Sequence, residues 1–324
     1  MGKRAYFIRR LIQSAVTLFV IITVIFFIFR LIPADPTALF IDSQLSPKDI
    51  QTLRSEWGFD KPLYIQYLKY IRNLMAGDFG RSFFYREPVW GVISGKILNT
   101  FVLMGTALMI TFAGAIVGGA YLGWNRGKWV EKVGVVLGLS VHSLPIYWIG
   151  IMALMAFTYW IRIFPTGGMH TMGYEASGLL GRYLSLDFLK HLCLPMLCAA
   201  LYYMSDPLVL MRTSMLEVKG EDFLEMSIAK GFSERTVIQH CARNALLPVV
   251  SHAAIMSGFL FGGQVLLETV FTWPGMGREL VLAVMNLDYP IAQAAFFLMA
   301  VTVVGMNLFV DFLYGYLDPR IVYK

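Results

Sequence analysis

Charged side chains are scarce in this sequence. Asp, Glu, Lys and Arg account for 15% of its 324 residues, whereas hydrophobic residues account for 57%. A soluble domain of this length carries about a quarter charged residues. The composition therefore predicts an all-α polytopic membrane protein, and it makes the number of membrane spans the first question.

The motifs of catalytic and metal-binding proteins are also missing. Cys193, Cys198 and Cys241 have no metal-ligand spacing and do not suggest a disulfide framework. The segment from Gly123 to Lys128 is one residue short of a phosphate-binding loop, and no zinc-protease or serine-hydrolase motif occurs. We predict no catalytic residue, no metal site and no cofactor, so any ATP must bind to a partner. An enzyme built from scattered polar residues is the alternative.

Six apolar stretches are long enough to cross a bilayer. They cover residues 11–29, 97–125, 133–161 with an interruption at Pro145, 192–211, 249–267 and 289–310. Lys3, Arg4, Arg9 and Arg10 precede the first stretch and place the N-terminus in the cytoplasm, so six spans also place the C-terminus there. The net charge of +6 is explained by basic cytoplasmic loops rather than by nucleic-acid binding.

Glycine pairs four residues apart occur within the spans. Gly114 with Gly118, Gly119 with Gly123, and Gly258 with Gly262 predict close helix contacts. Trp273 is predicted to anchor at a membrane interface, as are three other tryptophans: Trp57, Trp90 and Trp124.

The polar region 33–96 is predicted to hold short amphipathic helices on the outer face. One begins at Ser46-Pro47, and another begins at Pro62 and ends before Gly77, with Leu63, Tyr67, Tyr70 and Leu74 on one side. We therefore predict an N-terminal unit at 1–96, a five-helix membrane core at 97–315 with a cytoplasmic loop at 212–248, and a cytoplasmic tail at 316–324.

The stretch 221–248 is the longest polar interval after the first hundred residues. It predicts a helix over 221–230 that is ended by Gly231, and a second helix that Ser233 caps and that runs to about Leu247, with Pro248 at the next boundary. A ten-residue helix is marginal alone in water, so a soluble partner is expected to hold it.

This stretch resembles the cytoplasmic coupling loop of ABC importer permeases. Glu225, Gly231 and Leu247-Pro248 take the places of the family's Glu-Ala-Ala start, its glycine and its later Leu-Pro, while Met226 and Ser227 replace the two alanines. Ala229–Gly231 and Arg243–Pro248 are similar to the dipeptide/oligopeptide/nickel class. Further matches occur in order along the chain, at 31–36, 57–67, 77–89, 143–148, 164–168, 268–277 and 318–320.

The resemblance implies the first of two paired permeases, with the type I ABC importer fold, in a prokaryotic inner membrane. It implies a second homologous permease, two cytoplasmic ABC ATPases and an extracytoplasmic solute-binding protein as partners, besides membrane lipid and no nucleic acid. The implied cargo is peptides or related small solutes such as nickel chelates. The residues expected to couple to the ATPases are Glu221, Phe223, Glu225, Met226, Ala229, Lys230, Gly231, Arg243, Asn244 and Pro248. A solvated helix hairpin is the alternative for this loop.

Asp206-Pro207 is the least expected pair inside a span. A charge there is costly and usually faces a cavity, so Asp206, Pro207 and His142 are candidates for a pathway or for a gate with a break of the helix at Pro207. The alternative places Asp206 near the inner boundary, paired with Arg212 or a partner subunit. Two competing functions follow: a secondary transporter that uses Asp206 as a proton or ion site, and a scaffold that binds ATPases but moves no solute.

Overall fold

The computed structural model describes residues 3–31, 60–175, 178–261 and 264–317. These ranges contain twelve α-helices and no strand beyond a single β-bridge between Arg81 and Pro88, which confirms the all-α prediction for this part of the chain. The helices are α1 (Lys3–Leu31), α2 (Leu63–Met75), α3 (Val89–Trp124), α4 (Trp129–Ser143), α5 (Ile146–Leu154), α6 (Gly178–Leu184), α7 (Leu186–Lys219), α8 (Asp222–Ala229), α9 (Glu234–Phe261), α10 (Val265–Val270), α11 (Met276–Met285) and α12 (Tyr289–Leu317).

Four of the described helices, α1, α3, α7 and α12, are long and apolar enough to cross a membrane. A fifth crossing results if α4, α5 and the π-helical turn Met155–Trp160 are counted as one bent span. These five match predicted spans one to four and six. The predicted fifth span, 249–267, falls on the second half of α9 and on α10, with residues 262 and 263 outside the described ranges.

The third span bends sharply where the sequence predicts an interruption. Its two halves meet at 98°. Leu144 is extended, with φ −85° and ψ 144°, because Pro145 disfavours the helical conformation in the residue before it. The change of direction is much larger than a proline kink inside a continuous helix.

Two other prolines leave their helices continuous, which corrects two predictions. The chain does not break at Pro207, because α7 runs on through Pro195 and Pro207. Nor does Pro248 mark a boundary, because α9 runs thirteen residues beyond it to Phe261. Each proline costs one backbone hydrogen bond, which the packing of the two long helices offsets.

The closest helix crossing lies between α3 and α7, and glycines make it possible. A β-carbon at Gly119 would lie 2.6 Å from the Leu208 carbonyl oxygen, and one at Gly123 would lie 2.7 Å from the Met215 β-carbon. The predicted role of the glycine pairs in helix packing is thereby confirmed for this crossing. In the same way Gly258 brings α9 close to Asn307 of α12.

The first and last long helices pack side by side in opposite directions. Phe7 meets Phe312 edge to face with ring centroids 4.8 Å apart, and Phe29 meets Tyr289 at 5.6 Å. Near the Phe7–Phe312 contact, Arg10 lies 3.3 Å from the Asp311 carboxylate. The N-terminal helix therefore packs against the C-terminal end of the chain.

The segment between the fifth and sixth predicted spans, residues 268–288, is folded into the core. Trp273 is fully buried, so its predicted role as an interface anchor is wrong. Its indole N–H donates to the Asn99 carbonyl at 3.1 Å. Glu268 is also fully buried, where it accepts hydrogen bonds from the Thr100 hydroxyl at 2.6 Å and from the Arg278 backbone N–H at 2.9 Å. The carboxylate thus caps the first turn of α11.

The second predicted outer helix forms as α2, with Pro62 at its N-cap and Gly77 beyond its end at φ +73°. Its Tyr67 and Tyr70 rings pack on Phe26 of α1 at 5.2 and 5.4 Å. The first predicted outer helix, at Ser46-Pro47, lies outside the described residues, as do the motif matches at 32–36 and 318–320.

Candidate coupling site

The short helix α8 forms where the sequence predicts it. It runs from Asp222 to Ala229 with Glu221 at the N-cap and Lys230 at the C-cap. The Asp222 and Glu225 carboxylates lie in its first turn, where the positive end of the helix dipole favours them.

A Schellman motif ends α8 at Gly231. The Gly231 N–H donates to the Ile228 carbonyl at 2.9 Å, and the Phe232 N–H donates to the Ser227 carbonyl at 3.3 Å. Gly231 has φ +80°, a left-handed conformation that glycine adopts without strain. The predicted stop is confirmed.

The helix that follows begins as predicted. The Ser233 hydroxyl accepts from the Thr236 N–H at 3.4 Å, which satisfies one of the free donors in the first turn of α9. Helices α8 and α9 therefore form a tight helical hairpin, although α9 extends much further than predicted.

One side chain fixes α8 to the rest of the protein. Leu224 is 2% exposed and belongs to a cluster, here called the anchor cluster, that joins α3, α7, α8 and α9. The buried members of the anchor cluster are Ala120, Met211, Met215, Leu224, Val237, Cys241, Ala245 and Val249. Met211 and Met215 also lie against glycines of α3, so the anchor cluster connects α8 with the closest helix crossing of the fold.

Most of the apolar side chains of α8 are exposed rather than buried. Phe223 is 38% exposed, Met226 56% and Ile228 61%, and Phe232 just beyond the helix is 47% exposed. We call these four residues, together with Ala229, the docking face. Phe223, Met226 and Ala229 were predicted from the sequence, whereas Ile228 and Phe232 were not. The sequence shows only that Ile228 and Phe232 are apolar residues in a polar stretch. Their exposure follows from the structure, in which this helix of eight residues buries only Leu224 and Ser227.

Polar contacts connect the end of α3 and the start of α4 to α7 and α9. The Trp124 indole N–H donates to the Glu234 carboxylate at 2.9 Å, and the Lys219 ammonium lies 4.5 Å from the centre of the Trp124 ring. Arg212 forms an ion pair with Glu131, whose other oxygen accepts from the Gly127 N–H at 2.5 Å. Arg212 therefore pairs with Glu131 and not with Asp206, so the predicted pairing is wrong.

The remaining predicted coupling residues lie apart from α8. Arg243, Asn244 and Pro248 are all exposed on α9, about 14 to 21 Å along that helix from its start at Glu234. The Asn244 amide donates to the His240 carbonyl at 2.9 Å. The structure does not bring these three residues into the docking face.

The three candidate pathway residues lie around the middle of α7. Asp206 is exposed, and within the described residues its carboxylate has no ion pair or hydrogen bond, while Pro207 is buried. His142 of α4 stacks on Tyr202, with ring centroids 4.9 Å apart, and its Nδ1 lies 3.1 Å from the Tyr202 carbonyl oxygen. Since Tyr202 and Asp206 are four residues apart on one helix, they share a face.

The described residues form a bundle of long apolar helices in which one short, partly apolar helix, α8, lies between α7 and α9. The sequence profile of the family described as "Binding-protein-dependent transport system inner membrane component" matches residues 110–323, and the profile of its N-terminal region matches residues 4–104. The chain belongs to this family, and it is a multi-pass inner-membrane permease of binding-protein-dependent transport.

Three similar proteins align with this chain over nearly its whole length, and each is named as a transport system permease protein. The dipeptide transport system permease protein DppB of Escherichia coli (strain K12) is 34% identical over 335 residues, covering 98% of this chain and 99% of DppB. The oligopeptide transport system permease protein AppB of Bacillus subtilis (strain 168) is 34% identical over 325 residues with the same coverage. The glutathione transport system permease protein GsiC of Salmonella typhi is 33% identical over 321 residues, also with that coverage. The predicted resemblance is confirmed, and the relatives are permease proteins rather than ATP-hydrolysing subunits.

Proposed function

We propose that this chain is the permease subunit of an ATP-driven ABC importer that moves peptides or related small solutes inward, nickel chelates among them. The docking face on α8 carries this proposal, since its exposed apolar side chains need a partner. The names of the relatives, which are dipeptide, oligopeptide and glutathione permeases, support the solute class.

In this proposal α8 is a coupling helix that docks in a groove on an ATPase subunit. Phe223, Met226, Ile228 and Phe232 supply the apolar contact, while Glu221, Glu225 and Lys230 supply charges at its rim. Closure of the ATPase pair moves α8, and Leu224 passes the motion through the anchor cluster to α7 and α9. Alternating access of the pathway follows from that movement.

The proposed assembly contains a second homologous permease, two cytoplasmic ATPases and an extracytoplasmic solute-binding protein. The chain contributes six spans with both termini in the cytoplasm, and the second half of α9 forms the fifth. Residues 1–96 form an N-terminal unit, residues 97–315 form the permease core with its loop at 212–248, and residues 316–324 form a cytoplasmic tail. The solute pathway lies at the interface of the two permeases.

We place Asp206 on that pathway. It is exposed on a membrane-crossing helix and has no partner within the described part of the chain, whereas its neighbours Ser205 and Pro207 are buried. Ionisable groups inside a membrane usually face a water-filled cavity or an opposite charge, and Asp206 therefore faces the proposed pathway between the two permeases. His142, held on Tyr202, lines the same region.

The test replaces two apolar residues of the docking face with charges. In the transporter purified from its membrane in mild detergent, Met226→Glu with Ile228→Glu is expected to lower the amount of bound ATPase by at least tenfold, because both side chains would be desolvated on docking. The control is Met75→Glu at the end of α2, where the methionine is 86% exposed. It is expected to leave the ATPases bound.

Retention of the ATPases by the double variant would contradict the docking role of α8. Purification of the unsubstituted chain alone or as a homo-oligomer, without ATPases, would contradict the importer as a whole. Bound ATPases without ATP-dependent solute uptake would favour the scaffold.

A further inference from the structure

A cavity of about 360 Å³ opens where α1 ends and α12 begins. Its other walls are α2 and the turn at 78–83, so it lies away from the docking face and from Asp206. We infer that this cavity binds the phosphate of an anionic phospholipid at the membrane boundary.

The charge of the cavity wall selects an anion. Its basic residues are Arg30, Lys61, Lys69 and Arg81, and Asp78 is the one acidic residue among the described lining residues. One oxygen of Asp78 already accepts the Gly80 N–H at 2.8 Å, in a local turn. Even without Arg30, the described lining residues Lys61, Lys69 and Arg81 outnumber this engaged carboxylate, and a phosphate would neutralise their excess positive charge.

A neutral hydrogen-bond donor adds to these charges. The Tyr70 hydroxyl is buried, lines the cavity and has no hydrogen-bond partner among the described residues. Burial raises the pKa of Tyr70 to about 12, so the phenol stays protonated and can donate to a phosphate oxygen. The amides of Asn73 and Gln293 line the same space.

Two sets of contacts hold the walls in place. The buried Asp288 carboxylate accepts the Ser82 hydroxyl and the Phe83 and Phe84 N–H groups, the last two at 3.1 and 3.2 Å, and so fixes the turn to the start of α12. On the other side, the Thr23 and Tyr67 hydroxyls are 2.8 Å apart and join α1 to α2. The cavity is therefore a built feature rather than a gap between mobile segments.

The surroundings favour a lipid over a free anion. The outer side of α2 exposes Leu63, Tyr64, Leu68 and Met75 at 47%, 67%, 64% and 86%. A short helix that combines exposed apolar residues with Lys and Arg lies in the membrane interface. Arg30 stands at the end of span one, at the level of the headgroups. A headgroup can enter here while its acyl chains stay in the bilayer.

The test compares two matched pairs of substitutions in the assembled transporter, reconstituted in nanodiscs with equal amounts of phosphatidylglycerol and phosphatidylcholine. Lys69→Gln with Arg81→Gln changes two exposed residues of the cavity wall. Lys132→Gln with Arg126→Gln makes the same chemical change in exposed residues of the α3–α4 region. Retained lipid is measured by native mass spectrometry.

We expect the unsubstituted transporter to retain phosphatidylglycerol in preference to phosphatidylcholine. The cavity variant is expected to lose this preference by roughly tenfold to thirtyfold, since each basic residue near the surface contributes about a factor of five. The control pair is expected to keep the preference. Tyr70→Phe, which keeps the ring, is expected to weaken it less.

Three results would overturn the inference. One is equal retention of both lipids by the unsubstituted protein, as expected if another part of the chain fills the cavity. Another is the same loss in both pairs, which would indicate a general effect of surface charge. The third is binding of inorganic phosphate in phosphatidylcholine nanodiscs that depends on Lys69 and Arg81, which would identify a site for a free anion.

Discussion

Gly231 is required at the end of α8 only for its backbone conformation, and this makes its substitution a specific test. Its φ is +80°, and a β-carbon added there would meet nothing within 4 Å. Gly231→Ala is therefore expected to cost about 1–2 kcal/mol at the end of α8 through left-handed strain alone, and to lower solute-stimulated ATP hydrolysis by the assembled transporter.

The matched control is Gly220→Ala at the other end of the loop. Gly220 has φ −87°, and an added β-carbon would make only an ordinary contact of 3.6 Å with the Glu217 carbonyl oxygen. Gly231→Asn should recover part of the loss, because asparagine tolerates the left-handed region. Equal ATPase activity in the two alanine variants would show that the left-handed conformation of Gly231 is not needed for activity.

At the scale of elements, Leu224 separates the attachment of α8 to the fold from its attachment to a partner. Leu224→Ala removes the one large apolar side chain that α8 buries, at a cost of about 2–5 kcal/mol, while the docking face is left unchanged. We expect ATPases to stay bound but the solute moved per ATP to fall several-fold. The measurement is uptake and hydrolysis in the same proteoliposomes.

Leu247→Ala provides the comparison, since Leu247 is 66% exposed on α9. It should leave the ratio of solute to ATP unchanged. If Leu224→Ala released the ATPases instead, the anchoring of α8 to the fold could not be separated from its docking to the ATPase. The proposed transmission of motion through Leu224 would then be wrong.

The crossing of α3 and α7 gives a second element-scale test with adjacent residues. At Gly119 an added β-carbon would clash with Leu208 and Met211, whereas at Gly118 it would approach only the Leu208 Cδ1 atom, at 3.4 Å. Gly119→Ala is expected to destabilise the protein by about 1–3 kcal/mol and Gly118→Ala by much less, as measured by thermal unfolding in detergent. Similar unfolding temperatures for the two variants would show that α3 and α7 can accommodate a β-carbon at Gly119 without loss of stability.

Local signals in the sequence were sufficient for several helix ends and for the bend at Pro145, but contacts between distant segments were not visible in it. Gly231, Ser233 and Pro145 act within a few residues of their own positions, so their effects on helix ends and on the bend could be predicted. The burial of Trp273 and the Arg212–Glu131 pair depend on which helices meet, which no local pattern specifies. Pro207 and Pro248 misled because tertiary packing overrides the helix-breaking tendency of proline.

For the whole molecule, the energy source distinguishes the proposed importer from a secondary transporter. Proteoliposomes containing the complete complex are expected to take up peptide when ATP is supplied at equal pH on both sides. A proton gradient without ATP is expected to give no uptake, and Asp206→Asn is expected to reduce uptake while the ATPases stay bound. Uptake driven by the gradient alone, and abolished by Asp206→Asn, would assign Asp206 to proton coupling instead.

The antiparallel contact of α1 with α12 has a consequence for biosynthesis. About 250 residues separate the end of α1 from the start of α12 in the chain. At a synthesis rate of about 5–20 residues per second, the first helix waits roughly 13 to 50 s in the bilayer before its packing partner is made. It must therefore persist in lipid without α12 during that interval, and its highly apolar composition, with few of its side chains buried by the rest of the fold, suits it to do so.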